Sequence, residues 1–250
     1  MVTAVLYWHR VCREINGLEH TFGVSGKLIM NALVMYDQQT GTLWSQFLGQ
    51  AVRGDLLGES LEPIPLTMTT WERWVEEHPD TLALDKINGF YTSDSYESYY
   101  RNNLAAGVIG QSNSYNRLSN KDLVLGVGFD EGAKAYPFEV LARDRVVNDE
   151  ILGEPSVVCF DNTADTAFAF ISTVNDQELT FDLAREDERD FLIDRETGSK
   201  WIAFTGTAFE GPLEGLNLEQ VHSTVSFWFA WTDFIRLRTC FWGSSRHIYA

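Results

Sequence analysis

The sequence predicts a mainly β protein of the α+β class, made of two tandem, related β-rich domains with a few short helices. Three observations favour this fold. Apolar runs of strand length alternate with turns that contain Gly, Asp or Asn along most of the chain. A block of sequence recurs in the second half of the chain, and helix signals are few and short. The 250 residues are enough for one or two domains with sizeable cores.

An internal repeat is the strongest feature of the sequence. Residues 35–44 recur as residues 192–201, with Asp and Trp at matching positions. The glycines and tryptophans that follow keep the same spacing: Gly49, Gly54, Gly58, Trp71 and Trp74 correspond to Gly206, Gly211, Gly215, Trp228 and Trp231. This period is too long for a solenoid unit and predicts two domain-sized copies.

The repeat sets the predicted domain boundaries. We assign residues 1–88 to a first repeat, residues 89–122 to a connection, and residues 123–250 to a second repeat. The second repeat has a long lead-in, residues 123–173, ahead of its recurring block, and the first repeat has no comparable segment. The sequence therefore predicts that the first repeat is truncated at its N terminus and that the chain is a fragment. A truncated β domain exposes strand edges.

A turn and a helix are predicted in the first repeat. Residues 37–41 predict a turn, because Asp37 can cap the turn backbone and Gly41 supplies a positive φ. Residues 70–77 predict the one clear helix of the first repeat, since Thr69 or Thr70 suits the N-cap position and the His-Pro pair that follows ends the helix. The tryptophans at equivalent helical positions are expected to pack in the core rather than to form a carbohydrate platform: Trp71, Trp74, Trp228 and Trp231.

The second repeat predicts strands around a single short helix. Pro137 favours a helix over residues 138–143, because proline suits the first turn of a helix. Residues 167–172 and 179–183 form a hairpin pattern, and residues 194–198 repeat the Asp-to-Gly turn of the first copy. The remaining predicted strands are residues 123–129, 133–136, 145–149, 156–160, 191–193 and 201–204.

Composition excludes some partners. Lys and Arg number 19 against 36 Asp and Glu, which gives a net charge of -17. Such a balance disfavours nucleic acid and anionic membrane surfaces, because both are bound through clustered Lys and Arg. No apolar run approaches the roughly 18 residues of a transmembrane segment. The acidic stretch over residues 149–219 is compatible with a solvated surface, a cation-binding surface or a salt-adapted source.

Cysteine and histidine give no metal or disulfide signal. Cys12, Cys159 and Cys240 are widely separated without a C-x-x-C pair, which disfavours a disulfide scaffold. Cys159 lies in an apolar run and is expected to be a buried structural thiol. The histidines show no metal-ligand spacing, so no metal site is predicted and the cofactor is left unknown. The N terminus lacks the features of a signal peptide, which predicts a cytoplasmic protein for the chain as written.

Several motifs carry a family resemblance. The first repeat contains the run of residues 18–28, then residues 31–37 and 43–46, and Thr-Thr-Trp at residues 69–71. The connection and second repeat add Gly-Val-Ile-Gly at residues 107–110 and further matching stretches: residues 117–118, 121–122, 124–127, 134–138 and 146–149. Over most of residues 15–231 the chain resembles the domain-of-unknown-function 3179 family of bacterial and archaeal proteins. The resemblance implies no particular reaction, because the function of that family is not established.

The chain departs from the family at residues that would carry chemistry. Relatives have a Tyr-Cys-Pro segment ahead of the residue 22–26 block, where this chain has residues 5–10, Val-Leu-Tyr-Trp-His-Arg. The second repeat keeps Cys159 there without the Pro, and Asp144 replaces the His before the Val-Asn-Asp stretch. The resemblance also implies that full-length relatives act outside the cytoplasm, in secreted or periplasmic form.

A candidate pocket is predicted in the first repeat, where polar and aromatic residues surround two turns. Asp37 could act as a general base or cation ligand, but a turn cap fits better because the second copy repeats it. Ser45 and Gln46 have no counterparts in the second copy, which favours a functional role. The predicted pocket residues are Ser25, Asn31, Tyr36, Asp37, Trp44, Ser45, Gln46 and His78.

Three hypotheses about function remain open. The first is a module that binds a small-molecule ligand or has a structural role, which predicts an apolar or aromatic groove. The second is an enzyme with a metal- or thiol-dependent site, which predicts that Asp37 or His78 converges with Ser45 and Gln46 in one pocket. The third is a decayed gene product that has no function of its own.

Overall fold

The computed structural model describes residues 14–83, 97–103, 105–110, 115–128, 132–186, 189–235, 239–241 and 247–249. Within these ranges the protein is mainly β, with antiparallel sheets and short helices, as the sequence predicts. None of the helices in this part of the chain has the length and hydrophobicity that a bilayer crossing needs. The sequence segment around Tyr7, and Cys12 with it, lies outside the described residues.

The N-terminal part of the fold contains a small β-ribbon and one four-stranded sheet, which we call the first sheet. The ribbon consists of β1 (Glu14–Ile15) and β2 (Leu18–Glu19). The first sheet has the order β3 (Phe22–Ile29), β4 (Ala32–Asp37), β5 (Leu43–Ser45) and β6 (Gln50–Arg53). Two short helices follow it, α1 (Trp71–Glu77) and α2 (Glu97–Arg101).

The remaining part of the fold contains three further sheets, of three, four and five strands, and a second two-stranded ribbon. Its elements are, in chain order, β7 (Leu123–Val127), β8 (Lys134–Pro137), α3 (Phe138–Asp144), β9 (Val146–Ile151), β10 (Glu154–Asp161), β11 (Thr166–Ile171), β12 (Thr173–Val174), β13 (Gln177–Glu178), β14 (Phe181–Glu186), β15 (Arg189–Asp194), β16 (Lys200–Ile202), β17 (Thr207–Glu210), β18 (Ser223–Phe227), α4 (Trp228–Phe234), β19 (Thr239–Phe241) and β20 (His247–Tyr249). The strand orders are β11-β10-β9, β14-β15-β16-β17 and β18-β7-β8-β19-β20, and β12 pairs with β13. We call β14-β15-β16-β17 the second sheet.

The first and second sheets use the same local hydrogen bonds. The backbone N–H of Gly41 donates to the carbonyl of Asp37 at 3.0 Å, and Gly198 donates to Asp194 at 3.0 Å. Each sheet buries a tryptophan against a phenylalanine edge-to-face, with ring centroids 5.7 Å apart in the first sheet and 5.8 Å apart in the second. The recurring block of sequence therefore forms the same four-stranded unit twice. Descent of both units from one duplicated domain, and the boundaries of residues 1–88, 89–122 and 123–250, stay predictions.

Helix α1 begins where the sequence predicts. The side chain of Thr70 accepts a hydrogen bond from the backbone N–H of Arg73, which satisfies one of the free donors at the start of the helix. The core prediction for the tryptophans is only partly correct. Trp228 and Trp231 are buried, and Trp74 packs against the core of the second sheet, but Trp71 is 48% exposed. Helix α1 has no fully buried residue, and only Trp74 of its two tryptophans packs against that core.

The predicted hairpin of residues 167–172 with 179–183 is wrong. Strand β11 pairs with β10, and β14 pairs with β15. The two-stranded ribbon of β12 and β13 lies between them and redirects the chain to the second sheet. The apolar pattern of both segments was visible in the sequence, but their partners are set by burial of Phe168, Phe170 and Phe181 in one shared core.

Candidate functional site

A cavity of about 580 Å³ lies between the first sheet and the β18–α4 segment. The first sheet contributes β4 and the β5–β6 turn, and the irregular chain after β6 contributes residues between 61 and 68. The opposite wall is β18 and the first turn of α4. The lining residues are Asn31, Ala32, Met35, Gln46, Phe47, Leu48, Gly49, Leu61, Pro63, Leu66, Thr67, Met68, Tyr99, Gly107, Val108, His222, Ser223, Thr224, Val225, Ser226, Phe227, Phe229 and Ala230.

The cavity lining is uncharged. Charged residues make up 22% of the chain, yet none of the described lining residues is Asp, Glu, Lys or Arg. His222 is the one described lining residue that could carry a positive charge near neutral pH. Burial lowers its pKa, which favours the neutral imidazole. A partly open cavity without charged groups in its lining favours a neutral occupant, because an ion placed against such walls loses hydration without gaining a charged partner.

Asn31 links the turn of the β3–β4 hairpin to the segment of residues 107–110. Its side-chain Oδ1 accepts from the backbone N–H groups of Val108 at 2.7 Å and Ile109 at 2.8 Å. Its Nδ2 donates to the carbonyl of Gly110 at 2.6 Å. The side chain of Asn31 therefore holds residues 107–110 at the rim of the cavity. We call this set of three bonds the Asn31 latch.

The Asn31 side chain lies so close to the backbone of residue 107 that only glycine fits there. Its φ is +63°, which L side chains rarely adopt, and a Cβ there would lie 2.1 Å from Cγ of Asn31. Asn31 itself has a φ of 67° and follows Met30 at 47°, the two left-handed residues of a tight hairpin turn. Gly107 and Asn31 thus both have the positive φ that the geometry of the latch needs.

Gln46 and Ser45 lie side by side but face different surroundings. Gln46 lines the cavity, and its backbone N–H donates to the carbonyl of Leu33 at 3.1 Å. Ser45 is 1% exposed, and its hydroxyl accepts from the backbone N–H of Leu48 at 3.3 Å. Ser45 therefore stabilises the β5–β6 turn by a hydrogen bond and does not line the cavity, whereas Gln46 does.

Asp37 caps the β4–β5 turn, as the sequence favours. Its carboxylate accepts from the backbone N–H of Thr40 at 2.6 Å and from the indole Nε1 of Trp44 at 3.0 Å. Burial is the largest influence on the pKa of Asp37 and raises it, but the hydrogen bonds from Trp44 and Thr40 together hold that pKa below its ordinary value. Asp37 is fully buried and does not line the cavity.

The other predicted site residues have structural contacts. The hydroxyl of Ser25 donates to the carbonyl of Val34 at 2.5 Å, within the bulge that interrupts the pairing of β3 with β4. The ring of Tyr36 packs over Gly23, where a Cβ would lie 2.7 Å from the phenol ring. His78 ends helix α1, and its ring lies 4.2 Å from that of Trp74, in contact with the second sheet rather than the cavity.

Of the eight predicted residues, the structure brings Asn31 and Gln46 together at the cavity. Asp37 and Trp44 meet in the turn core, and His78 lies apart from both groups. Sequence reasoning missed the lining residues Tyr99, His222 and Ser226. Ser226 lies in the alternating run Ser-Thr-Val-Ser-Phe, a strand signal that could have drawn attention to it.

The surroundings of Cys159 disfavour a reactive thiol. The residue is 2% exposed, and burial raises the pKa of its thiol to about 12, so that it remains protonated near neutral pH. In the part of the chain that the structure describes, no three His, Cys, Asp or Glu side chains are grouped as metal ligands.

Comparison with known proteins gives one match. A family model described as a protein of unknown function, DUF3179, matches residues 4–236 of the chain. Searches of the curated proteins and of the solved structures found no significant match.

Proposed function

The chain belongs to the DUF3179 family, and on that premise we propose that it is a binding module for a small, uncharged and mainly apolar ligand. The cavity between the first sheet and the β18–α4 segment is the proposed site. The single observation that carries the proposal is its uncharged lining in a chain of net charge -17. Its volume of about 580 Å³ is within the range that small-molecule sites occupy.

The walls provide the contacts that such a ligand needs. Met35, Phe47, Leu61 and Phe229 offer apolar surface, and burying that surface against a ligand drives binding. Gln46 and His222 add a few hydrogen-bonding groups, which fix orientation without adding a charge. The Asn31 latch holds residues 107–110 at the rim, so that this wall is in place before a ligand arrives.

Binding has more support than catalysis. An enzyme site built on the predicted residues needs Asp37 or His78 beside Ser45 and Gln46. The carboxylate of Asp37 is engaged by Thr40 and Trp44, and the imidazole of His78 lies against Trp74. No observation on the described residues favours the metal- or thiol-dependent alternative.

A neutral fluorescent probe tests the proposal. N-phenyl-1-naphthylamine emits strongly in apolar surroundings, so we expect saturable enhancement with the wild-type protein. Ala32 lines the cavity, and Ala32→Phe should weaken probe binding by about tenfold or more by filling the space.

Ala184→Phe is the matched control. Ala184 is a partly buried strand residue that is not among the cavity-lining residues. We expect its probe affinity to match that of the wild type, with circular dichroism confirming that both variants fold. An equal loss of affinity in the two variants, or no saturable binding to the wild type, would contradict the proposal.

A further inference from the structure

One wall of the cavity is the outer edge of strand β18, which is the edge that does not pair with β7. Strand β18 is the first strand of its sheet and pairs with β7 on one side. Residues 222–227 all line the cavity, without the alternation expected if only one face of the strand were turned toward it. The cavity therefore adjoins the edge of the strand, where main-chain donors and acceptors project.

The pairing pattern identifies which main-chain groups project. The backbone N–H of Trp228 donates to the carbonyl of Asp122 at 2.8 Å, in line with the β18–β7 register. Hydrogen-bonded and non-hydrogen-bonded pairs alternate along an antiparallel ladder. Thr224 and Ser226 therefore bond to β7, whereas the N–H and C=O groups of the alternate residues point away from it: Ser223, Val225 and Phe227.

The same edge is already used for strand pairing just before β18. The backbone N–H of Val221 donates to the carbonyl of Ala169 in β11 at 2.8 Å, and Gln220 forms a bridge with Phe170. Among the described residues, no group bonds to the outward N–H groups of Ser223, Val225 and Phe227 or to the outward C=O groups of Ser223 and Val225. The C=O of Phe227, the N-cap of α4, instead accepts the first hydrogen bond of that helix. The cavity thus continues the line of pairing between residues 220–221 and β11, at a stretch of edge for which the described residues provide no partner strand.

We propose that the cavity accepts an extended, uncharged peptide segment, which adds as a strand to the outer edge of β18. This inference rests on the proposed function and specifies the ligand class. Residues 223–227 span about 14 Å and repeat their outward donors and acceptors every second residue, a spacing that a β-strand backbone matches. The uncharged walls fit side chains such as Val and Thr.

Ser226 adds a polar contact to the same edge. Its hydroxyl is buried and has no hydrogen-bond partner among the described residues. A buried hydroxyl without a partner costs free energy, which a ligand with an amide or hydroxyl nearby would recover. Polar peptide ligands are therefore favoured over pure hydrocarbons.

Hydrogen exchange of the wild-type protein tests the proposal directly. The probe peptide is acetyl-Thr-Val-Thr-Val-Thr-amide, which is uncharged and soluble. At saturation we expect exchange at the N–H groups of Ser223, Val225 and Phe227 to slow about tenfold or more, while Thr224 and Ser226 change little. The same peptide N-methylated at the amides that face β18 should bind about tenfold more weakly, because it lacks those donors.

A proline variant provides a second readout. Val225→Pro removes an outward N–H without removing a bond to β7, a position where edge strands tolerate proline. We expect it to weaken peptide binding about tenfold more than Val225→Ala does, because the alanine variant shortens the same side chain but keeps the N–H. Circular dichroism verifies folding, and if the proline variant does not fold, the wild-type exchange experiment decides.

The outcomes separate this inference from the proposed function. Binding of the naphthylamine probe without peptide binding would overturn the strand-addition proposal alone. Failure of both ligands to bind would overturn both proposals. Slow exchange at Ser223, Val225 and Phe227 in the free protein would mean that the edge is already paired, which also overturns strand addition.

Discussion

The indole Nε1 of Trp44 donates a 3.0 Å hydrogen bond to the buried carboxylate of Asp37. The second sheet contains the same bond, from Trp201 to Asp194, at 2.9 Å. In each sheet the Asp also accepts from the backbone N–H three residues later, which joins the turn to the core. Each turn is thereby joined to a fully buried tryptophan of its sheet.

Removing this carboxylate should destabilise the protein. Asp37→Ala leaves the indole N–H of Trp44 and the backbone N–H of Thr40 without their acceptor, at a cost of about 2–4 kcal/mol in the free energy of unfolding. Asp194→Ala is the matched variant in the second sheet and should cost a similar amount. Urea unfolding measures both, and a loss below about 0.5 kcal/mol would contradict a structural role for the pair.

The lowered pKa of Asp37 predicts a pH dependence of stability. Because its folded-state pKa lies below its unfolded value, ionised Asp37 stabilises the folded state above the unfolded pKa of about 3.9. That contribution is lost as the pH falls through the folded pKa. Unfolding free energies from pH 7 down to pH 3 should decline less steeply for Asp37→Asn than for the wild type, and parallel curves would contradict the prediction.

The turn, the helix start and the mainly β fold could be predicted because their causes are local. The β4–β5 turn depends on Asp37 and Gly41, and helix α1 depends on Thr70, all within a few residues of the structure they determine. The strand pairing of β11 could not be predicted in this way. Its partner is chosen by burial against residues distant in sequence.

The cavity could not be predicted, because distant segments form it. The sequence places Asn31 and Gln46 in the candidate pocket because both belong to the family-like stretches of the first repeat, and in the structure both line the cavity. Their neighbours Tyr99 and His222 come from segments with no motif of their own. The prediction of core packing for Trp71 failed because equivalence with Trp228 does not guarantee equivalent surroundings. Helix α4 buries both of its tryptophans in a core, whereas α1 turns only Trp74 toward one.

His20 is a difference between the two sheets that predicts a stabilising substitution. It is 3% exposed, and its Nδ1 lies 3.5 Å from Oδ1 of Asp37, too far for a strong hydrogen bond. The equivalent position in the second sheet is the buried apolar residue Leu179. His20→Leu should therefore raise the free energy of unfolding by about 1 kcal/mol, by replacing a poorly paired polar group with apolar surface.

Thermal or urea unfolding of His20→Leu checks this prediction, and His20→Ala serves as the control that removes the imidazole without restoring volume. The alanine variant should be less stable than the leucine variant, because it leaves a cavity. A leucine variant that is markedly less stable than the wild type would show that the imidazole makes a favourable contact with Asp37 after all.

The Asn31 latch predicts how the rim of the cavity can be loosened. Asn31→Ala removes all three bonds to residues 107–110. Gly107→Ala places a methyl group against the Asn31 side chain at a position with φ of +63°. Each variant should speed hydrogen exchange at the amides of Val108 and Ile109 by about tenfold, since those N–H groups lose the side-chain oxygen of Asn31 as their acceptor.

Gly110→Ala separates loss of the latch from general backbone strain. Gly110 also has a positive φ, +79°, but a Cβ there meets no atom within 4 Å. It carries the strain of an L residue in the left-handed region without a collision with Asn31. Exchange at Val108 and Ile109 should therefore rise much less in Gly110→Ala than in Gly107→Ala. Equal exchange rates in the two variants would mean that strain, and not the side chain of Asn31, determines how firmly this segment is held.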